Sequence, residues 1–374
     1  MAMLVILVAL TYTWAGYPAL LWMLRLRFAI RPLREKRDLT VSLIVAVYNE
    51  EAQVAGKLEN CLALEYPRDR LEILVASDGS TDSTESIVED FAQQDGRIHL
   101  LRSGGRMGKS GIQNLAVAQA QGEILLFTDA ETRMPANFLE LVVEDFADPQ
   151  VGLVAPTVHF GKFGDAISQG QGAYWRFELS LRQMESDLGI LATASGAAMA
   201  VRRALYRPIP PEYGDDCVIP LDVRLQGYRV TQDPRIVVSD EMPHTIEGEV
   251  RARVRMTARN WGGMLSRPGV LNPLRFPATA WGLVSHKLLR WLTPFFLAAL
   301  FLINGALVLP GQMRPFFLLQ CCFYVAALVG WRRSLRQPCK QRIFAYPFAF
   351  CLANLGFLLG LVRYARAQTV TAYK

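Results

Sequence analysis

The chain is apolar at both ends and alternating in its middle. No charged residue precedes Arg25, so residues 3–23 form an uninterrupted apolar stretch long enough to cross a bilayer. Towards the other end, residues 291–313 are free of charge for 23 positions, 315–331 for 17 and 343–362 for 20. These three windows read as further spans, the middle one close to the minimum length. Between residues 38 and 266 the pattern shortens. Apolar runs of strand length at 41–47, 71–77, 97–101 and 123–128 are separated by amphipathic stretches of helical period. That alternation predicts an α/β domain with a mostly parallel sheet and helices on both faces. The expected organisation is an N-terminal transmembrane anchor over 1–28, the α/β domain over 38–266, and an interfacial segment with C-terminal spans over 267–374.

Composition agrees with a membrane-bound α/β protein. At 51% hydrophobic residues and positive mean hydropathy, the chain is too apolar for an ordinary soluble domain. Arg25, Arg27, Arg31, Arg34, Lys36 and Arg37 follow the first apolar stretch, and a second basic run occupies 332–342. The positive-inside rule puts both in the cytoplasm, so the domain faces the cytoplasm at an inner (plasma) membrane. No basic segment precedes the first stretch and no small-residue cleavage site follows it, so it is expected to remain as an anchor. Counting one span before the domain and three after it puts residues 363–374 outside. The net charge of +6 lies largely in these flanking arginines and reads as attraction to anionic lipid, with no nucleic-acid partner. Six cysteines without a CxxC pair point to neither disulfides nor zinc.

The chemistry lies where the strands end. The run 123–128 stops at Asp129-Ala130-Glu131, two carboxylates at i and i+2. Both can reach one hard cation, Mg2+ or Mn2+, able to hold a diphosphate; a solvated acidic turn is the alternative. The second strand runs into Asp78-Gly79-Ser80-Thr81-Asp82, where Gly79 suits a tight turn, Asp82 a helix cap and Asp78 a ligand contact. Gly104-Gly105-Arg106-Met107-Gly108-Lys109-Ser110 looks like a phosphate loop, but Ser103 stands where a Walker A motif needs glycine. It reads instead as a glycine-rich loop offering Arg106 and Lys109 to a diphosphate. Asp215-Asp216 precede an apolar helical segment and suit either dipole partners or a general base with raised proton affinity. Arg251, Arg255 and Arg259 share one helical face that could grip phosphate or lie on lipid headgroups. Trp261 could stack on a sugar or anchor the interface.

Together these blocks resemble the family 2 glycosyltransferases, inverting enzymes of GT-A fold that use nucleotide sugars. The resemblance covers about residues 40–265, in the family's order. It implies a donor site of Tyr48, Glu50, Asp78, Lys109, Asn114 and Asp129, a metal at Asp129 and Glu131, and catalysis by Asp216 beside Asp215. It puts Arg259 and Trp261 on the acceptor or phosphate side, and residues 174–178 and 196–203 in segments like the acceptor side of membrane-bound members. The implied donor is a UDP-sugar and the acceptor a glycan or lipid-linked sugar, as in polysaccharide or glycoconjugate synthesis. Two departures stand out. Glu131 replaces the second Asp of the metal motif, and Arg259-Asn260-Trp261 lacks the Gln and the adjacent Arg-Trp of processive synthases. Residues 369–374 loosely resemble the FxVTxK gating motif of cellulose synthases, which would hold the tail in the cytoplasm, against the count of spans. A polyprenyl-phosphate sugar synthase and a non-catalytic nucleotide- or lipid-binding membrane protein are the competing readings.

Overall fold

The computed structural model describes residues 1–160, 169–240, 245–307 and 314–367. An apolar helix α1 (Ala2–Phe28) leads into the domain, which runs β1 (Val41–Val47), α2 (Val54–Leu62), β2 (Leu71–Ser77), α3 (Thr84–Gln94), β3 (Ile98–Arg102), α4 (Gly108–Gln119), β4 (Ile124–Thr128) and α5 (Phe138–Asp145). It continues with β5 (Val151–Phe160), α6 (Gln169–Asp187), β6 (Ala198–Arg202), α7 (Asp215–Leu225), β7 (Arg229–Asp240) and α8 (Ile246–Leu265). Three apolar helices follow: α9 (Pro277–Leu307), α10 (Arg314–Ser334) and α11 (Arg342–Ala365).

The seven strands form one sheet in the order β3-β2-β1-β4-β6-β5-β7. Strands β1 to β4 pair in parallel; β1, β2 and β4 are largely apolar and buried, as covering on both faces requires, whereas the edge strand β3 exposes His99 and Arg102. Alternate residues separate onto two faces. Leu43, Val45, Ile73 and Leu126 pack under α2, α3 and α5, whereas Ile44, Leu74, Leu125 and Phe127 pack under α4 and α7. Burying a side chain such as Phe127 or Phe138 contributes about 1.5–3 kcal/mol. The second half of the sheet departs from the simple parallel pattern, because β6 is antiparallel to both β4 and β5. The four runs read from the sequence account for β1 to β4, and β5 opens on a further apolar run, residues 151–155. β6 is five residues of AMAVR, with no periodicity to distinguish it from a loop.

Among the described residues, four helices are long and apolar enough to cross a membrane. The span expected from 291 begins at Pro277, so His286, Lys287 and Arg290 lie inside a continuous helical run of 31 residues. The middle window is a 21-residue helix, α10. α11 departs most from expectation. A Cβ at Gly356 would lie 2.6 Å from Arg253 Cβ, and one at Gly360 2.6 Å from Thr257 Cβ, so α11 packs backbone-close along α8. Its earlier turns press Ala345 and Ala349 on Gly170 of α6, and Tyr364 near its end meets Gly262 and Tyr213. α11 is long enough to span, but the α/β domain accompanies it from end to end. The tail motif at 369–374 lies outside the described residues. Arg34, counted among the lipid-facing cations, instead pairs with Asp145 at 2.7 Å and Asp233 at 3.1 Å.

Candidate active site

Strands β1, β2 and β4 end side by side where the strand order reverses, the place where open α/β sheets bind ligands. A cavity of about 130 Å3 opens there, bordered by Tyr48, Glu50, Asp78, Arg106, Lys109, Asp129 and Glu131. Asp78 anchors the glycine-rich loop: its carboxylate accepts from Met107 N (2.6 Å) and Gly108 N (3.0 Å) and lies 3.2 Å from Arg106 Nε. Arg106 is thereby held 3.3 Å over the ring of Tyr48, roofing the cavity. Asp82, expected as the helix cap, stands one residue before the N-cap Ser83 and accepts from Thr84 N at 3.0 Å. Lys109 Nζ sits 2.6 Å from Asp129 Oδ1 and 3.3 Å from Asp215 Oδ2, and donates to Gly196 O at 3.3 Å.

The acidic loop after β4 rests on a residue that its sequence did not flag. Lys57 of α2 is fully buried, and its Nζ donates to Thr128 Oγ1 (2.8 Å) and Thr132 O (2.7 Å). It thus ties both ends of the loop carrying Asp129 and Glu131. Burial pushes its pKa down to about 8. Asp129 N also donates to Ala197 O at 3.1 Å, so the turn before β6 braces the same loop.

Asp215 and Asp216 open α7, where acids complement the helix dipole. Asp215 accepts from Gln113 Nε2 at 3.0 Å. Its burial works against ionisation, but Lys109, Gln113 and Arg259 outweigh this and hold its pKa below the ordinary carboxylate value. Asp216 goes the other way: burial first, and then the charge of Asp215, push its pKa up. It borders a second, smaller cavity of about 50 Å3, lined also by Tyr174, Glu178, Arg253, Lys287 and Arg290. Asn260 Nδ2 donates to Asp216 Oδ2 at 3.3 Å. Gly196 lies between the two cavities. A Cβ there would be 3.8 Å from Lys109 Nζ and 3.9 Å from Asp216 Cβ, so the absent side chain leaves the gap between them open.

Three expected site residues lie elsewhere. Asn114 turns away from both cavities, donating to Ile209 O (2.8 Å) and accepting from Tyr206 OH (2.6 Å) and Ile209 N (2.9 Å). Arg259 is buried and donates to Ser110 Oγ (3.0 Å) and to Tyr213 O, which fastens α8 to the domain. Trp261 packs edge-on against Trp291 at 5.7 Å within a helical core and lines neither cavity. The single arginine face dissolves for the same reason. α8 is sandwiched between the domain and α11, so Arg259 and Arg253 turn inwards while Arg251 pairs with Glu247 at 3.7 Å in solvent. The residues that share the second cavity with Asp216 come from helices far apart in the chain, among them Glu178 on α6 and Lys287 and Arg290 on α9. Hydropathy alone presented the latter two as flanks of a span.

Asp129 and Glu131 border one cavity and supply hard oxygen ligands. Among the described residues, no group of three His, Cys, Asp or Glu could hold a metal unaided. Two carboxylates with open positions fit Mg2+ or Mn2+, which take their remaining ligands from water and substrate phosphates.

Residues 42–209, which carry the donor-side cavity, match the family model of Glycosyl transferase family 2. The chain carries a family 2 glycosyltransferase domain. The β-monoglucosyldiacylglycerol synthase of Synechocystis is 33% identical over 168 residues, 44% of this chain and 35% of that protein. The poly-β-1,6-N-acetyl-D-glucosamine synthase of Staphylococcus epidermidis is 26% identical over 223 residues, 58% of this chain and 53% of that one. The matches thus span about a third to a half of these relatives. The solved mannosyltransferase PcManGT from Pyrobaculum calidifontis, in complex with GDP-Man and Mn2+, superposes with a TM-score of 0.72 at 21% identity, over 98% of this chain and 100% of that one. The glycosyltransferase domain is therefore of GT-A fold, and the likeness extends through the apolar helices on either side.

Proposed function

We propose that this chain is an inverting glycosyltransferase that moves a sugar from a nucleotide sugar to a hydroxyl of a membrane-associated acceptor. The observation that carries this reading is the pair of cavities on either side of Gly196, whose Cβ position lies 3.8 Å from Lys109 Nζ and 3.9 Å from Asp216 Cβ. The cations and carboxylates of a diphosphate site lie on one side, and a carboxylate of raised proton affinity lies on the other. The donor binds in the first cavity, with Arg106 and Lys109 available to its diphosphate. The acceptor oxygen attacks the anomeric carbon as the bond to the diphosphate breaks, and the nucleoside diphosphate leaves with the electron pair. Asp216 takes the hydroxyl proton on the face opposite the leaving group, so the configuration inverts. Asp129 and Glu131 would hold Mg2+ or Mn2+, which supplies counter-charge for the departing diphosphate when bound.

Asp216 favours a hydroxyl acceptor over a polyprenyl phosphate, because a phosphate oxygen carries no proton that needs a base at neutral pH. The four apolar helices and the basic segments after α1 and between α10 and α11 support a domain on the cytoplasmic face of the inner membrane. UDP-sugars are the first donors to test, beside the GDP-mannose bound by the structural neighbour.

Filling the gap tests the reading. Gly196→Leu should retain nucleotide binding and lose sugar transfer, whereas Gly196→Ala, whose Cβ meets only ordinary contacts, should keep most of it. Transfer by Gly196→Leu at the wild-type rate would show that donor and acceptor do not meet there.

A further inference from the structure

The geometry points to an anionic lipid as the acceptor. Its phosphate would sit on the Lys287 and Arg290 side of the Asp216 cavity, its hydroxyl against Asp216, and its hydrocarbon chain in an apolar groove that begins at Tyr174. This rests on the glycosyltransferase reading and names the acceptor class for it.

The charge lining the second cavity is unbalanced. Glu178 accepts from Arg182 Nε (3.0 Å), Lys287 Nζ (2.8 Å), His286 Nε2 (3.1 Å) and Arg290 Nη1, so one carboxylate faces three permanent cations. Arg253 is already matched by Glu249. Glu185 stands behind His286, bonded to its Nδ1 and to Tyr17 OH, and is not part of the lining. With Arg253 set aside, the lining cations Arg182, Lys287 and Arg290 still outnumber Glu178 and Asp216. A buried surplus of cations is costly unless an anion completes it. Arginine and lysine together suit a phosphate, the first by its fork of donors and the second as a point charge.

Tyr174 also borders a second space. A groove of about 960 Å3 runs between α1, α6, α9, α10 and α11, with Trp14, Phe177, Leu300 and Phe323 among its walls. Tyr174 OH accepts from Arg290 Nη1 at 3.3 Å, so the cationic cavity and the groove share one wall. From Trp14 to Met3 the groove follows α1 for about 16 Å at ~1.5 Å per residue, close to half of a ~30 Å hydrocarbon layer. Its lining is almost wholly apolar, and the amides of Asn304 and Gln320 bond to each other at 2.9 Å. A glycan threading this space would lose its water without gaining partners, whereas an acyl or prenyl chain loses nothing. A phosphate at one end and hydrocarbon at the other describe a phospholipid or a lipid-linked phosphosugar.

The test separates binding from transfer. Full-length protein in neutral detergent is given phosphatidylglycerol or dioleoylglycerol without donor, and retained lipid is read by native mass spectrometry. Wild type should retain at least tenfold more phosphatidylglycerol. Lys287→Gln should cut that retention at least tenfold and leave dioleoylglycerol unchanged. Ala173→Phe, in the groove wall, should cut both, and both variants should bind nucleotide like wild type. Equal retention of the two lipids, or retention indifferent to both variants, overturns the proposal. So does transfer onto a water-soluble oligosaccharide that neither variant affects. Lipid binding as expected without transfer from any donor upholds the anionic-lipid site and refutes the transferase reading instead.

Discussion

Asp215 and Asp216 are consecutive in the chain, yet their carboxylates keep different company. Asp215 lies 3.3 Å from Lys109 and 3.0 Å from Gln113 on the donor side, whereas Asp216 meets Asn260 at 3.3 Å and borders the second cavity. The first turn of α7 fans neighbouring side chains apart by about 100°. The surroundings then push the two pKa values in opposite directions, the usual mark of divided acid and base roles.

That division predicts different losses. Asp216→Asn should bind nucleotide sugar normally while turnover falls by roughly two to four orders of magnitude, the span of general-base catalysis. Asp215→Asn should instead remove one of the two carboxylates that hold Lys109 and weaken donor binding. Calorimetry of nucleotide binding beside single-turnover kinetics distinguishes the two. Equal damage to binding and turnover in Asp216→Asn would make Asp216 a donor ligand.

The pH profile should follow Asp216. A base works deprotonated, so kcat/KM falls as pH drops through its pKa. Burial and Asp215 raise that pKa, so the acid limb should lie above the ordinary carboxylate range near ~4. An acid limb at or below that range would assign the base elsewhere.

Metal binding should depend on the donor. Lys109 Nζ already lies 2.6 Å from Asp129, and among the described residues no three His, Cys, Asp or Glu converge on one metal position, so Mn2+ should bind weakly alone and at least tenfold more tightly with nucleoside diphosphate present. Lys57→Met keeps the burial but frees Thr128 and Thr132, and should lower this coupled affinity. Titration calorimetry with and without UDP or GDP reads both effects. Strong Mn2+ binding to the Asp129→Asn variant would remove the metal from this loop.

The end of α11 should face the cytoplasm, against the count of four crossings. Gly356 and Gly360 hold α11 along α8, and Tyr364 reaches Tyr213. In a variant without native cysteines, Arg366→Cys should escape a membrane-impermeant thiol reagent in intact spheroplasts and react after permeabilisation. Labelling of intact spheroplasts would restore the outward tail.

Local order in the sequence determined much of this protein. Continuous apolar runs marked β1 and β2 at their observed ends, since strands buried on both faces need side chains of one kind. The polar residues closing those runs brought Tyr48, Asp78 and Asp129 to one edge, because parallel strands end together. The acids at 215 and 216 were legible as a helix start. Tertiary structure alone decided what each side chain meets. Lys57 reads as a surface lysine until α2 is laid against β4, and Arg259 and Trp261 read as ligand contacts until α8 is sandwiched. Glu178 and Arg290 stand 112 positions apart, and hydropathy weighs each charge only against its chain neighbours. α11 carries the same ambiguity at larger scale. An apolar helix of 24 residues satisfies a bilayer and a helical interface equally well, and the glycines that dock it on α8 acquire meaning only beside the surface they touch.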